Sequence, residues 1–450
     1  MTTRIIVSIL FYILSSAYAL SNNEILITNN EDLHALSNKH NITYVISIHL
    51  DLKDSVITLA PYSTLRFIDE GLISNGSIVG DNSRIEAKET QIFNNIKLYG
   101  IWDNSNVYGV WFDTPSNMSP CNSYFNNLMT LSKGDRMTHL YTALDTLYVE
   151  AINGAGAIRI PSNLYWHNQS IIYQLPCSFE KFSTIHLDNV HDVTIDGGMI
   201  IGDVKSHMGN SGEWGHGIKC SGAKDIIIKN ISCNNCWGDG IDLIEGKYVK
   251  NKTGLNTCER IIIDKVKCNY NRRQGMSIEA ATDVVVCNSE FCFTGAIKAT
   301  LPTAGIDIEP WANNSDKIYN IKIENCRFID NGRFDISFQT NLWRNDIQTY
   351  DSKTLLTNCS LKNCEFKYAG GVNVDKCVID SLVIHNSSNI SFSDCSILHY
   401  TQGINAVNVN FNNCRITKKT KASDISSLSI ICLGGTLIAF IIGYIRTLKT

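Results

Sequence analysis

The chain has 450 residues, a formal net charge of −4 and 44% hydrophobic residues. That length holds one large domain or two to three ordinary ones. The near-neutral charge excludes the basic stripe of a nucleic-acid-binding surface, so no nucleic-acid partner is expected.

Residues 1–19 read as a secretory signal peptide. Arg4 precedes the apolar run Ile5–Leu14, and Ala17-Tyr-Ala19 has the small-residue pattern of a cleavage site. Residues 20–120 form a strand-rich N-terminal region, with runs such as Tyr44-Val-Ile-Ser-Ile and Thr64-Leu-Arg-Phe-Ile broken by turns such as Asn75-Gly76. It is expected to cap or open the main domain. A helix is predicted over 138–152, where Leu140, Ala143, Leu144, Leu147, Tyr148 and Ala151 share one face. It reads as a lid over the end of a β-domain.

Residues 121–420 read as one solenoid. Short β-branched runs recur (Val193-Thr-Ile, Ile226-Ile-Ile, Ile261-Ile-Ile, Val284-Val-Val), and the later ones are followed by Asn-Cys-x-Phe or a relative of it. Such self-similarity, with several strands and no helix per repeat, indicates a parallel β-helix. Sixteen cysteines invite a disulfide reading. Cys326, Cys364, Cys395 and Cys414, however, share one repeat position, expected to point inward over Ser289 and Ile231 as a core ladder. Cys121, Cys177, Cys287 and Cys292 stay open for disulfides. Cys233 and Cys236 form a CxxC without a second pair, which argues against a zinc site there.

The end of the chain carries a second membrane signal. Residues 425–445 are uncharged and followed by Arg446 and Lys449. This is the length of a membrane-spanning helix, with 446–450 as a cytoplasmic tail. Together the two ends predict a single-pass anchor, placed at the cell surface or in a secretory-pathway membrane with the N-terminal bulk outside. Ten Asn-x-Ser/Thr sequons lie between Asn41 and Asn389; exposed ones become glycan sites if the host glycosylates.

The candidate site lies in Trp214–Gln339. A glycine followed by alternating residues recurs at Gly217-Ile-Lys-Cys-Ser, Gly240-Ile-Asp-Leu-Ile, Gly275-Met-Ser-Ile-Glu and Gly305-Ile-Asp-Ile-Glu, with a glycine-less copy at Phe334-Asp-Ile-Ser-Phe. Alternation means strands with one face inward. Stacked, their outward residues form the column Lys219, Asp242, Ser277, Asp307, Asp335, with Glu279 and Glu309 in the next column. Strand spacing of about 4.8 Å puts Asp242 and Asp307, two rungs apart, at roughly 9–10 Å. That is near the separation of about 6.5–9.5 Å in inverting glycosidases.

Stacked carboxylates raise each other's pKa, which suits a general acid, and they equally suit Ca²⁺, the only cofactor the pattern suggests. Asp307, Glu309, Asp242 and Arg272 are the candidate catalytic residues. His216, Lys219, Arg273, Glu279, Asp335, Trp237 and Trp311 are candidates for holding substrate. The cations would neutralise an acidic sugar, and the indoles would stack on sugar rings. Against this stands the plain reading that polar residues must cover the outside of any β-helix.

Further motifs carry a resemblance. Ala143-Leu-Asp145, Gly154-Ala-Gly-Ala-Ile-Arg-Ile-Pro161, Gly238-Asp-Gly-Ile-Asp242, Asn271-Arg-Arg-Gln-Gly275 and Ala304-Gly-Ile-Asp-Ile-Glu-Pro310 make residues 120–415 resemble the right-handed parallel β-helix proteins of the pectate-lyase-like (pectin lyase fold) superfamily. The likeness is to its glycan-associated branch of bacterial surface proteins and phage tail-spike depolymerases. It implies a right-handed coil with one sheet lining a polysaccharide groove. The match is incomplete: Gly215-His-Gly217 precedes Gly238-Asp-Gly240, and the later Arg-x-Lys of polygalacturonase-type enzymes is absent. Nor is the calcium-dependent pectate lyase set cleanly matched. The expected function is a glycoside hydrolase or polysaccharide lyase acting on a surface glycan or polysaccharide; the alternative is a non-catalytic adhesin.

Overall fold

A computed structural model describes residues 23–29, 40–113, 118–142, 145–246, 256–310, 318–339 and 351–421. The proposed signal peptide, the segment 425–445 and Trp311 lie outside them. Among the described residues no helix is long and apolar enough to cross a membrane.

The chain divides into two compact units, Met1–Ser116 with Ser123–Thr142, and Asn117–Asn122 with Ala143–Thr450. In the first, parallel strands at Thr43–Ile46, Thr64–Phe67 and Leu72–Glu86 pair in register, and Phe93–Trp102 continues the sheet. The helix Asn122–Leu131 buries Phe125, Leu128 and Leu131. Its Asn127 accepts from the Leu98 amide (2.9 Å) and donates to the Ile96 carbonyl (2.7 Å), satisfying two backbone groups of the strand beside it.

The helix expected over 138–152 is not formed. Thr138–Thr142 and Thr146–Val149 are strands. Leu140, Leu147 and Val149 are buried between less buried neighbours, so the alternating period overrides the helical one. The reason is tertiary: Leu147 pairs with Ile172 and Thr146 with Ile171 in a parallel ladder, which meets the backbone groups a helix would have met internally. The helix that does form, Asn122-Ser-Tyr-Phe-Asn-Asn-Leu-Met-Thr-Leu, is rich in residues that favour turns.

The second unit is a right-handed parallel β-helix. Its strands join an 18-stranded sheet of parallel neighbours running from Thr146–Val149 to Arg415–Lys421, and a second parallel sheet pairs strands such as Leu164–Asn168 and His191–Asp196. Crossover connections between parallel strands are right-handed in about 98% of cases. Inward side chains stack by type: Ile218, Ile241, Met276, Ile306 and Ile336 form one buried ladder, and Cys220, Leu243, Ile278, Ile308 and Phe338 the next. Each such burial contributes about 1.5–3 kcal/mol. At the turns Asn230, Asn288, Asn325 and Asn358 take positive φ, a conformation asparagine tolerates. The Asn358 amide donates to Asn325 Oδ1 of the previous rung at 2.6 Å.

The cysteine ladder is real, but Cys364 leaves it, and Cys414, which continues it beyond Cys395, is only half-buried. The register aligns Arg327 with Ser360, Ser360 with Val378 and Val378 with Ser396. The residues before them, Cys326, Cys359, Cys377 and Cys395, therefore stack. Cys364 instead stands between Ile336 and Leu382. Two Asn-Cys pairs five positions apart competed for the same slot, and strand register chose the first. Every described cysteine is a free thiol, Cys121, Cys177, Cys287 and Cys292 included, so the disulfide alternative is not realised there.

Candidate functional site

The glycine strands stack as consecutive rungs. They run Trp214–Ser221, Ile241–Ile244, Met276–Ile278, Ala304–Ile308 and Phe334–Gln339. The glycines are a packing requirement. A Cβ on Gly240 would meet the Gly275 carbonyl oxygen at 2.6 Å, and one on Gly275 that of Gly305 at 2.4 Å. The outward column is His186, Lys219, Asp242, Ser277, Asp307, Ser337. Asp242 and Asp307 are thus two rungs apart. Asp335 is not in this column: Phe334 pairs with Ala304, which places Asp335 beside Gly305. It is buried, accepting from Asn331 Nδ2 (2.9 Å) and the Lys362 amide (2.5 Å), and burial raises its pKa.

The column was expected to face solvent, yet Asp242 and Asp307 are 1% and 2% exposed. Burying charge costs several kcal/mol per ion unless it is paired, and here the charges pair in a chain. Lys219 Nζ lies 3.4 Å from Asp242 Oδ2, which is 3.5 Å from His216 Nε2. His216 Nδ1 lies 3.4 Å from Asp239 Oδ2, and Arg273 bridges Asp239 (3.0 Å) to Glu309 (2.6 Å). The Asp239 amide donates to His216 Nδ1 at 3.3 Å. Ser277 donates to Asp239 at 2.8 Å, and Gln274 Nε2 donates to Glu309 at 2.5 Å.

This packing divides the carboxyls. Burial and then the neighbouring Glu309 carboxylate push Asp307 well above the usual range. Burial also raises Glu309, against Arg273. Asp239 goes the other way: burial opposes its charge, but Arg273 and His216 hold it below the usual range. Burial likewise opposes the Arg273 charge, but Asp239, Glu309, Asp307 and Glu279 together keep it firmly protonated. Neighbouring carboxyls driven apart in this way can serve as proton donor and as fixed negative charge. Asp307 Oδ1, Asp239 Oδ1 and Asp242 Oδ1 are buried without a hydrogen-bond partner. Oxygens of this kind suit Ca²⁺, although Arg273 already pairs with Asp239 and Glu309.

Arg272 and Arg273, alike in sequence, differ in role. Arg272 turns away from the carboxylates, lies 3.8 Å over the Trp237 ring and donates to the Gly212 carbonyl at 2.7 Å. Trp237 is buried, with His207 stacked at 3.7 Å, so it cannot stack on a sugar as expected. Glu279 is buried near Arg273, and the partly exposed Glu309 lies at the surface end of the cluster. Asp239 and Gln274 were not among the expected site residues. They sit just before the strands, where alternation gives no signal; the visible clue was a carboxylate held between two glycines, Gly238 and Gly240.

Beyond Lys219 the column opens into a cleft of ≈ 180 Å³, lined among others by Lys181, His186, Asp188, Trp214 and Lys219. Trp214 is 37% exposed, with Lys181 Nζ 5.7 Å from its ring centre. Burial lowers the His186 pKa to about 4, leaving it a neutral ring that shares a 3.0 Å hydrogen bond with Ser221.

No family model matches the sequence. The chain is 28% identical over 202 residues to the SPbeta prophage-derived uncharacterized protein YorA of Bacillus subtilis, covering 41% of this chain and 34% of that one. It is 29% identical over 195 residues to the uncharacterized protein YclG of the same organism, covering 40% and 33%. The chain thus spans about a third of the length of the curated relatives it matches. Among solved structures it is similar to the mannuronan C-5 epimerase AlgE6 A-module of Azotobacter vinelandii, at TM-score 0.44 and 10% identity over 70% of this chain and 99% of that one. It is also similar to PfbA, a surface adhesin of Streptococcus pneumoniae, at TM-score 0.38 and 12% identity over 66% and 89%.

Proposed function

We propose that this chain acts on a polysaccharide through the strip that runs from the Trp214 cleft to Glu309, as a glycoside hydrolase or polysaccharide lyase. The observation that carries this reading is the opposed shift of Asp307 and Asp239 about one arginine. In this scheme the proton held by buried Asp307 reaches the departing sugar oxygen by way of the partly exposed Glu309, and Arg273 with Asp239 fixes the field around them. Trp214 offers a ring face to a sugar, and Lys181 and Lys219 favour an acidic one. As part of the same proposal, residues 425–445 anchor the chain at a cell surface, and exposed sequons carry glycans if the host glycosylates.

Asp307→Asn tests the chemistry. A panel of polysaccharides is followed for new reducing ends and for unsaturated products. The variant should retain glycan binding and lose cleavage; a wild-type protein that cleaves none of the panel rejects the enzymatic reading. One observation favours a second reading, a non-catalytic glycan-binding surface protein. Arg273 already spends its donors on Asp239 and Glu309, leaving fewer for a substrate. That reading predicts glycan retention without products, lost on changing Trp214 and Lys219.

A further inference from the structure

We propose that Cys177, Asp203 and His207 form a binding site for a thiophilic divalent cation, with zinc as the best match to the donor set. The three residues lie in the connections that follow two paired strands, Ile171–Gln174 and Met199–Ile201. One rung thus contributes the cysteine, and the next contributes the aspartate and histidine four positions apart. One donor atom from each converges within 4.8 Å of the others, and all three residues are buried.

The distances suit an ion. Zinc bonds of about 2.3 Å to sulfur and about 2.0–2.1 Å to nitrogen put those atoms roughly 3.6 Å apart at a tetrahedral angle. Cys177 Sγ and His207 Nδ1 stand 3.9 Å apart. His207 Nδ1 and Asp203 Oδ2 are 2.7 Å apart, a hydrogen bond that opens by roughly 0.6 Å when an ion replaces the proton. Sulfur, imidazole and carboxylate together favour zinc over calcium or magnesium, which take oxygen donors.

A second, independent observation points to a ligand. Asp203 Oδ1 is buried and has no hydrogen-bond partner. The Cys177 amide, at 3.2 Å, shares the other carboxylate oxygen, Oδ2, with His207. A buried carboxylate oxygen left unpaired is costly because its desolvation is not repaid, and coordination offers it a partner. The charges also balance, because the two positive charges of the ion match one thiolate and one carboxylate. On binding, the thiol proton leaves to solvent, and the imidazole proton moves from Nδ1 to Nε2. The shell around the site is already rigid. His207 stacks on Trp237, its carbonyl accepts from Lys298 Nζ at 3.0 Å, and a Cβ on Gly209 would lie 2.9 Å from His207 Nε2. The site adjoins the carboxylate strip through Trp237, but its test reads bound zinc and not cleavage, so the inference stands or falls independently of the proposed function.

The test uses the full chain, stripped with chelator and then titrated with Zn²⁺ against a colorimetric zinc indicator. One equivalent should bind, and Co²⁺ in its place should give the ultraviolet thiolate-to-cobalt charge-transfer band. Cys177→Ser should abolish the band. His207→Gln should weaken binding by more than the ~10–100-fold typical of losing an outer-shell partner. A readout without substitution guards against variants that misfold: Zn²⁺ should slow alkylation of Cys177, followed by peptide mass mapping, more than that of Cys414. Absence of stoichiometric zinc, or alkylation of Cys177 unchanged by zinc, overturns the proposal.

Discussion

The middle rungs and the last rungs of the coil share one architecture and differ in what they bury. From Cys359 to Cys395 successive rungs are spaced 18 residues apart, and their outer positions at Glu365, Val383 and Thr401 stay partly exposed. Between His216 and Asp307 the spacing is irregular: 23 residues separate His216 from Asp239, and 35 separate Cys236 from Asn271. There the same outer column, Asp242 to Ser337, is buried. A minimal rung has no spare chain to cover its outer face, so polar groups there remain solvated. In the longer rungs charged side chains crowd around the column, as Lys219, His216 and Arg273 do, and the buried charges pair. Function is sought in the middle because only there are ionisable groups forced into fixed mutual geometry.

Removing the central cation should give the largest effect on this contrast. Arg273→Met leaves Asp239, fully buried, without its main counter-charge. Breaking a buried pair from one side costs about 3–5 kcal/mol, to be read from urea unfolding monitored by circular dichroism.

The next effect reverses in sign. Asp307 has a raised pKa in the folded state, against a reference value of 3.8 unfolded. The folded chain therefore holds this proton longer than the unfolded one. Its contribution to stability is full below about pH 3.8 and is lost as pH rises through the folded value. Asp307→Asn should stabilise the protein at neutral pH, with little difference from wild type below pH 3.8. A wild-type stability curve that falls less steeply than the variant's across that window would contradict the placement of Asp307. In the regular rungs the comparable change is smaller: Cys377→Ala leaves a void of about one atom, costing about 1 kcal/mol.

The coil was legible because period-two alternation, turn asparagines and recurring cysteines all reflect one local rule applied many times. The glycine strands were placed rung on rung, and Lys219, Asp242, Ser277 and Asp307 fell in the expected column. What failed required register or environment. Asp335 was displaced because the last strand lacks the glycine that fixed the others' alignment, so counting began two residues early and Ser337 holds the place expected for Asp335. Cys359 and Cys364 could not be separated without strand pairing. Arg272 and Arg273 point to different faces because the turn between Asn271 and Gly275 bends there, which a run of letters does not show. Trp237 looked like an edge aromatic, but it is buried with His207 and Arg272 packed on its ring. The pairing of His216 with Asp239 was hidden because Asp239 lies outside the alternating stretch.

The smallest expected effect closes the comparison. Lys362 and Asp330 stand 3.5 Å apart, as Arg273 and Asp239 nearly do, but with side chains 63% and 64% exposed. Exposed pairs contribute little, because water already solvates both charges and ordering the side chains costs entropy. Lys362→Ala should therefore shift unfolding by no more than the scatter between repeats. Salt separates the two cases further. Raising ionic strength from 0.01 to 0.15 M shortens the screening length from about 30 Å to about 8 Å, which erases any residual Lys362 effect. The Arg273→Met deficit should persist, since a pair shielded from solvent is screened far less. If salt removed both effects alike, the middle rungs would have to be open to water, and the division of the carboxyls about Arg273 would lose its physical basis.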